Sequence, residues 1–405
     1  MQRRHFLDHS AKIMLASHAG IGLLGMPLAG LAQSGTASTF AKSATRDRVL
    51  ILVELKGGND SLNTVIPYAN PIYAQLRPTI GIKQDEVLRI DSQQGLHPSL
   101  APLLPVWEKN ELAIVQGVGY PDPNLSHFRS IDIWNTASKS KEYLSDGWVA
   151  RALHTSPQGT SGKDFTSEGV LVGINEQGPL AGADAVSLRQ TETFVNQSRL
   201  AMPSELVGNA SLQHILGVER AIVEAANGLR GEKYSFKTEF PNGGFGQSVQ
   251  AAAQIVAGQR GKAGVPVIVL SLGSFDTHIN QPGNHANLLK QLGEGLAALR
   301  GALQEVGAWD RTLVMTYSEF GRRARQNQSN GTDHGTAASH FVMGGAVRGG
   351  LIGKAPDLSR LDSSQNLVYT TDFRQMQATV AKGWWGVNPE AVVRGQFDQL
   401  PLLRA

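Results

Sequence analysis

Between Val265 and Thr316 the chain changes its hydrophobic period twice, and this restricts the fold more than any other stretch. Val265 to Leu272 and Thr312 to Thr316 are short apolar runs. Between them, Leu288, Leu292, Leu296, Leu299, Leu303 and Val306 step by three or four, the stripe of a helix lying on a core. Strand, helix and strand in that order make a right-handed crossover in a parallel sheet. Val49 to Val53 and Leu112 to Val115 have the same continuous apolar texture, which marks strands buried on both faces. The expected fold class is therefore α/β, with a largely parallel central sheet and helices on both faces. Each run ends in glycine or polar residues: Lys56-Gly57-Gly58-Asn59-Asp60, then Gly117 and Gly119, then Gly273-Ser274-Phe275-Asp276, then Tyr317-Ser318-Glu319. Open α/β sheets place their sites at such carboxyl ends of strands.

Arg3-Arg4-His5-Phe6-Leu7 is a paired-arginine segment running into the apolar stretch Ile13 to Leu31, which is broken by glycine and proline. This reads as a cleavable twin-arginine signal over 1–32, with Gly30-Leu31-Ala32 offering the small residues of a cleavage site. The expected address is the periplasm or the exterior, and the expected partner during export is the twin-arginine translocase. That route carries proteins already folded, often around a metal or cofactor. Residues 33–46 read as a flexible lead-in and 47–405 as one domain, with an insertion or cap at about 153–262 that includes helices over Leu212 to Leu229 and Gln247 to Ala257. No stretch after the signal is apolar for long enough to cross a bilayer.

Composition excludes some chemistries. The 405-residue chain carries net +3, and removing Arg3, Arg4, Lys12 and Asp8, together +2, leaves about +1. A nearly neutral surface argues against nucleic acid as a partner. The chain has no cysteine, so no disulfide staples it and no thiolate acts as ligand or nucleophile.

The polar residues just after the strands are carboxylates and imidazoles: Asn59 and Asp60, Ser126 and His127, Asp276 and His278, Glu319, then Asp333, His334 and His340. Carboxylates and imidazoles are the ligand set of zinc or manganese and, with more oxygen donors, of magnesium or calcium. Each also has a purely structural reading. Asp60 suits a helix N-cap, Glu319 a partner for Arg322 or Arg323, Asp333-His334 a solvated loop, His127 a first helical turn and His340 a strand end. Ser126 follows the turn Tyr120-Pro121-Asp122-Pro123-Asn124-Leu125 and reads either as an N-cap or as a nucleophile activated by a metal.

Taken in order, the motifs Gly57-Gly58-Asn59-Asp60-Ser61-Leu62-Asn63, Asn124-Leu125-Ser126-His127-Phe128-Arg129, Phe275-Asp276-Thr277-His278, Ser318-Glu319-Phe320-Gly321-Arg322 and Gly331-Thr332-Asp333-His334-Gly335 resemble the secreted bacterial family known as domain of unknown function 1501. The resemblance implies an alkaline phosphatase-like fold and the phosphate- or sulfate-ester hydrolysis of that superfamily at one or two divalent metals. It makes Asp60 the first acidic ligand, Ser126 the nucleophile, and Asp276 with His278 an acid–imidazole pair. Where the superfamily continues Ser-Asp-His-Gly, this chain has Ser318-Glu319-Phe320-Gly321, in which Glu319 can replace the acid but Phe320 cannot replace the imidazole. Two readings of Asp333-His334 follow: the missing Asp-His ligand pair has moved there, or, favoured by order and strand context, His334 is the last metal imidazole before a strand through His340-Phe341-Val342-Met343-Gly344.

The resulting expectation is a metal-dependent hydrolase of a small or envelope-polymer ester, with catalytic Ser126. Its ligands are drawn from Asp60, Asp276, His278, Glu319, Asp333 and His334, and the accessory residues are Asn59, His127, Arg322 and His340. The rival is a non-catalytic envelope binding or assembly protein that keeps the fold, a reading that Phe320 favours. An oxidoreductase ranks last, since no Gly-x-Gly-x-x-Gly follows the first strand.

Overall fold

The computed structural model describes residues 47–155, 167–188, 234–259 and 264–404. The twin-arginine segment, the lead-in to residue 46 and the helix expected over Leu212 to Leu229 lie outside the described residues. The described residues fall in one compact unit.

A nine-stranded sheet organises this unit. Its strands are β1 (Val49–Leu55), β2 (Leu112–Gly119), β3 (Gly169–Val172), β4 (Ala185–Leu188), β5 (Val267–Leu272), β6 (Thr312–Tyr317), β7 (Ala338–Met343), β8 (Gly350–Ile352) and β9 (Thr371–Asp372). Across the sheet the order is β8-β2-β7-β6-β1-β5-β3-β4, and β9 pairs with β2 beyond β8. β1 lies between β5 and β6 and is parallel to both, with Leu50 opposite Val267 and Leu313. Among these strands only β7 runs antiparallel, against β2 and β6. β1, β2, β5 and β6 therefore all end at one edge of the sheet.

The main helices are α1 (His127–Thr136), α2 (Trp148–Thr155), α3 (Gly244–Gly258), α4 (Gln281–Glu305) and α5 (Phe373–Thr379). Side chains alternate along β1, so its odd and even residues feed different cores. Val49, Ile51, Val53 and Leu55 pack with α3 and with the α4 stripe of Leu288, Leu292, Leu296, Leu299 and Leu303. Leu50 and Leu52 pack on the other face with Ile133 and Trp134 of α1, Trp148 and Val149 of α2, and Phe373 and Met376 of α5. A strand buried on both faces must be apolar throughout, which is why the run from Val49 to Val53 does not alternate.

The stretch expected as an insertion or cap is described at 153–155, 167–188 and 234–259. In these parts it extends the sheet through β3 and β4 and covers one face through α3. α3 matches the helix expected over Gln247 to Ala257. Among the described residues, no helix is long and apolar enough to cross a membrane.

Candidate metal centre

The turn after β1 and the loop after β5 touch at the carboxyl edge. Gly57 has φ +120°, and a Cβ there would sit 2.4 Å from the Asp276 nitrogen. Gly58 has φ +82°, and a Cβ there would strike the Phe320 ring at 2.6 Å. This backbone favours glycine and turns two N–H groups toward the end of β6. Both donate to Glu319, from Gly57 to Oε1 at 2.9 Å and from Gly58 to Oε2 at 3.2 Å.

Asp276, four residues beyond β5, is the hub. Its Oδ1 lies 2.5 Å from Arg322 Nη2, 3.0 Å from His278 Nε2 and 3.1 Å from His334 Nε2. Its Oδ2 lies 3.4 Å from Nε2 of His127, the first residue of α1. Burial raises the Asp276 pKa, but the hydrogen bond and charge of Arg322, then His334 and His278, outweigh it and hold the group down at about 2. Ligand atoms of His127, Asp276 and His334 fall within 4.8 Å of one another, and His278 Nε2 lies 3.0 Å from both Asp276 Oδ1 and His334 Nε2. Ligand bonds of about 2 Å put tetrahedral ligand atoms about 3.3 Å apart, so the widest separation would have to close by about 1.5 Å around an ion.

The far nitrogen of each imidazole also has an acceptor. His127 Nδ1 lies 2.7 Å from Glu319 Oε1, His278 Nδ1 lies 3.3 Å from Asp333 Oδ1, and His334 Nδ1 lies 2.9 Å from the Leu125 carbonyl. Phe320 is buried and forms the apolar wall of the cluster, its ring centroid 4.9 Å from that of His127 and 4.5 Å from that of His334. Where the resemblance expects an imidazole, this chain has a ring that packs two other imidazoles. Arg322, also buried, donates to the carbonyls of Gly57, Gly58, Phe275 and Thr332 and so ties three loops beneath Asp276.

Several expected ligands are placed elsewhere. Asp60 is 1% exposed, with its Oδ2 2.5 Å from Arg77 Nη1 and its Oδ1 2.9 Å from Arg77 Nη2. Gln281 Nε2 also donates to Asp60. Burial raises the Asp60 pKa and Arg77 lowers it further, for a net downward shift. Its oxygens are committed to a buried ion pair, so the reading of Asp60 as a ligand gives way to a structural one. Glu319 and Asp333 approach the cluster through the far nitrogens of His127 and His278, which makes them outer partners.

Asn59 is buried beside Thr64 and accepts from His285, which burial pushes down to about 4. His340 is inside β7, away from the cluster: its ring lies 5.1 Å from that of Trp134, neither nitrogen has a hydrogen-bond partner, and burial lowers its pKa to about 3. It is a core residue and has no accessory role at the cluster.

Ser126 is exposed at the N-cap of α1, directly before His127, and makes no side-chain capping bond. Sequence reasoning gives His127 only an accessory role and misses Arg77 altogether. The adjacency of Ser126 and His127 after β2 is the available signal for the first. Nothing local marks the second, because its partners Asp60 and Ala324 are distant in sequence.

The family described as Protein of unknown function (DUF1501) matches residues 97–395. The chain belongs to this family. The match bears out the resemblance, and the α/β fold with its mostly parallel sheet is the expected class. No curated protein matches this DUF1501 chain. Among solved structures it is similar to the lipoteichoic acid synthase LtaP from Listeria monocytogenes, at 12% identity, covering 85% of this chain and 73% of that one with TM-score 0.43. It is also similar to a protein in the alkaline phosphatase superfamily from Vibrio parahaemolyticus, at 8% identity, 85% and 68% coverage and TM-score 0.40. A third is the PsFucS1 sulfatase from Pseudoalteromonas sp., at 10% identity, 89% and 72% coverage and TM-score 0.38.

Proposed function

We propose that this DUF1501 protein is an exported, metal-dependent hydrolase of phosphate or sulfate esters, with Ser126 as nucleophile. The observation that carries the reading is the meeting of His127, Asp276 and His334 at the carboxyl edge of the sheet, beside an exposed serine that caps nothing. Two imidazoles and a carboxylate are a donor set that fits a divalent cation. A cation there would supply Lewis acidity, stabilising the Ser126 alkoxide and polarising the ester oxygen.

The chain's own residues supply the rest. Ser126 Oγ attacks phosphorus or sulfur, the bond to the alcohol oxygen breaks, and the serine ester left behind is hydrolysed by water. The free N–H groups at the start of α1 favour the anionic ester. Phe320 excludes water from one side of the two imidazoles it touches. The substrate is a small or envelope-polymer ester, and Arg3-Arg4 supports export by the twin-arginine translocase.

A second reading, a binding or assembly protein of the envelope without turnover, is favoured by Phe320 in an imidazole's place and by Asp60 bound to Arg77. The discriminating experiment assays aryl phosphate and aryl sulfate hydrolysis with zinc, manganese, magnesium and calcium, comparing wild type, Ser126→Ala and Asp276→Ala. A nucleophilic Ser126 predicts a fall in kcat of several orders of magnitude with metal binding retained. Wild-type rates in Ser126→Ala would refute the mechanism, and no turnover with any metal would favour the second reading.

A further inference from the structure

Tautomers decide what the cluster at Asp276 can hold. The Leu125 carbonyl only accepts, so Nδ1 of His334 must carry the hydrogen. Glu319 already accepts from the Gly57 and Gly58 N–H groups, and Asp333 from Asn327 Nδ2 at 3.3 Å. As acceptors they call for hydrogens on Nδ1 of His127 and His278 as well. Each Nε2 is thereby turned toward the Asp276 carboxylate, with those of His278 and His334 only 3.0 Å apart. Nitrogens and carboxylate oxygens gathered this closely converge on one centre that a cation can occupy. A hydrogen bond from the far nitrogen to a carboxylate or carbonyl is also the usual arrangement around metal-bound histidine.

We propose that this centre takes one divalent cation of the zinc or cobalt kind, and that Glu319 is not its ligand but a positioning residue holding His127 with Nε2 toward the cation. The proposal rests on the hydrolase reading for the location of the site and adds the number and class of the ion. The class follows from the donors. Three imidazole nitrogens and one carboxylate suit zinc or cobalt, whereas calcium and magnesium require mostly oxygen. The number follows from occupied groups. The carboxylates that a second cation would need are taken, Asp60 by Arg77 and Gln281, and Glu319 by two backbone N–H groups and His127. Arg322, with its guanidinium 2.5 Å from Asp276 Oδ1, already supplies a fixed positive charge there.

The test is calorimetric titration of the chelator-stripped protein with zinc chloride, cobalt chloride, calcium chloride and magnesium chloride, with visible spectra of the cobalt form. The expected result is one equivalent of zinc or cobalt, no uptake of calcium or magnesium, and cobalt bands of a nitrogen-rich site. Glu319→Gln should weaken cobalt binding about 10- to 100-fold and shift those bands, since an amide no longer fixes the His127 tautomer. His127→Ala should weaken binding at least as much, and adding Glu319→Gln to it should change nothing further, because a positioning residue has no effect without the residue it positions. Should Glu319→Gln fail to fold, the half-exposed His127→Ala carries the test alone. Two equivalents of metal, preference for calcium or magnesium, or unchanged affinity in His127→Ala would overturn the proposal. One equivalent of zinc with no ester turnover would leave it standing and favour the binding reading over the hydrolase one. Turnover that needs calcium alone would do the reverse.

Discussion

Replacing Asp60 by alanine separates a ligand from a structural ion pair, because the two roles predict opposite results. Both side chains of the Asp60–Arg77 pair are removed from water, at 1% and 0% exposure. Arg77 also donates to the Ala324 and Arg323 carbonyls and to Asn63. Asp60→Ala would leave that guanidinium buried among carbonyls without a counter-charge, and breaking such a pair costs about 3–5 kcal/mol. Unfolding entropy of about 2.1 cal/mol/K per residue gives a domain of this length about 0.75 kcal/mol/K, so Tm should fall by roughly 4–7 °C. Asp276→Ala makes the contrast: its side chain is 44% exposed, so water can enter beside the buried Arg322 guanidinium in its place, and its loss should cost less stability while removing the carboxylate at the centre of the imidazoles. Differential scanning calorimetry and zinc titration on both variants give the comparison. Asp60→Ala should melt early and bind zinc normally, and Asp276→Ala should melt nearer wild type and bind zinc poorly. An Asp60→Ala protein that melts normally but loses zinc would refute the ion-pair assignment. The pH dependence has the same origin. The folded pKa of Asp60 is depressed, so its stabilisation is complete above the unfolded value of about 3.9 and is lost as pH falls through the lower folded value. The Asp60→Ala variant should lack that acid-side loss.

Gly57→Ala should destabilise by at least about 1–3 kcal/mol, read as a lower urea midpoint, because alanine meets both the left-handed backbone and the Asp276 nitrogen; an unchanged midpoint would contradict the turn geometry. His340 has a pKa lowered by burial to about 3, so the unfolded chain binds the extra proton as pH drops below about 6.5 and stability falls with it. Between pH 7.5 and 5.0 that loss is about 2 kcal/mol, and His340→Phe, which keeps a ring against Trp134, should abolish it in urea melts at the two pH values. Leu296→Ala on α4 should cost about 2–5 kcal/mol by opening a cavity in the core it shares with Val53, and a cost under 1 kcal/mol would question that packing. The double substitution Arg3→Lys with Arg4→Lys should leave precursor in the cytoplasm on fractionation, and normal export would remove the address argument.

Periodicity is a local property, and what depends on it is legible in the sequence. The four apolar runs are β1, β2, β5 and β6, and the leucine stripe is α4, since burial on both faces or along one helical face leaves its pattern in neighbouring residues. The edge on which chemistry gathers is legible for the same reason, because parallel strands must end together. Which side chains at that edge face one another is not a local property. Asp60 reads as a ligand until Arg77 comes within 2.5 Å of it, and that contact depends on where the short helix Pro71–Leu76 places the residue that follows it. Glu319 sits in a ligand's sequence position, yet the two glycines after β1 turn their N–H groups onto its oxygens before any cation can. His127 reads as an ordinary first-turn residue, and only the approach of α1 to the loop after β5 brings its Nε2 to Asp276. The motifs therefore identify the groups that meet, while the partner of each far nitrogen separates the residues at the centre of the cluster from those at its rim. At Glu319 that partner is His127, so a carboxylate that looks like a ligand in sequence serves as the second partner of an imidazole that does not.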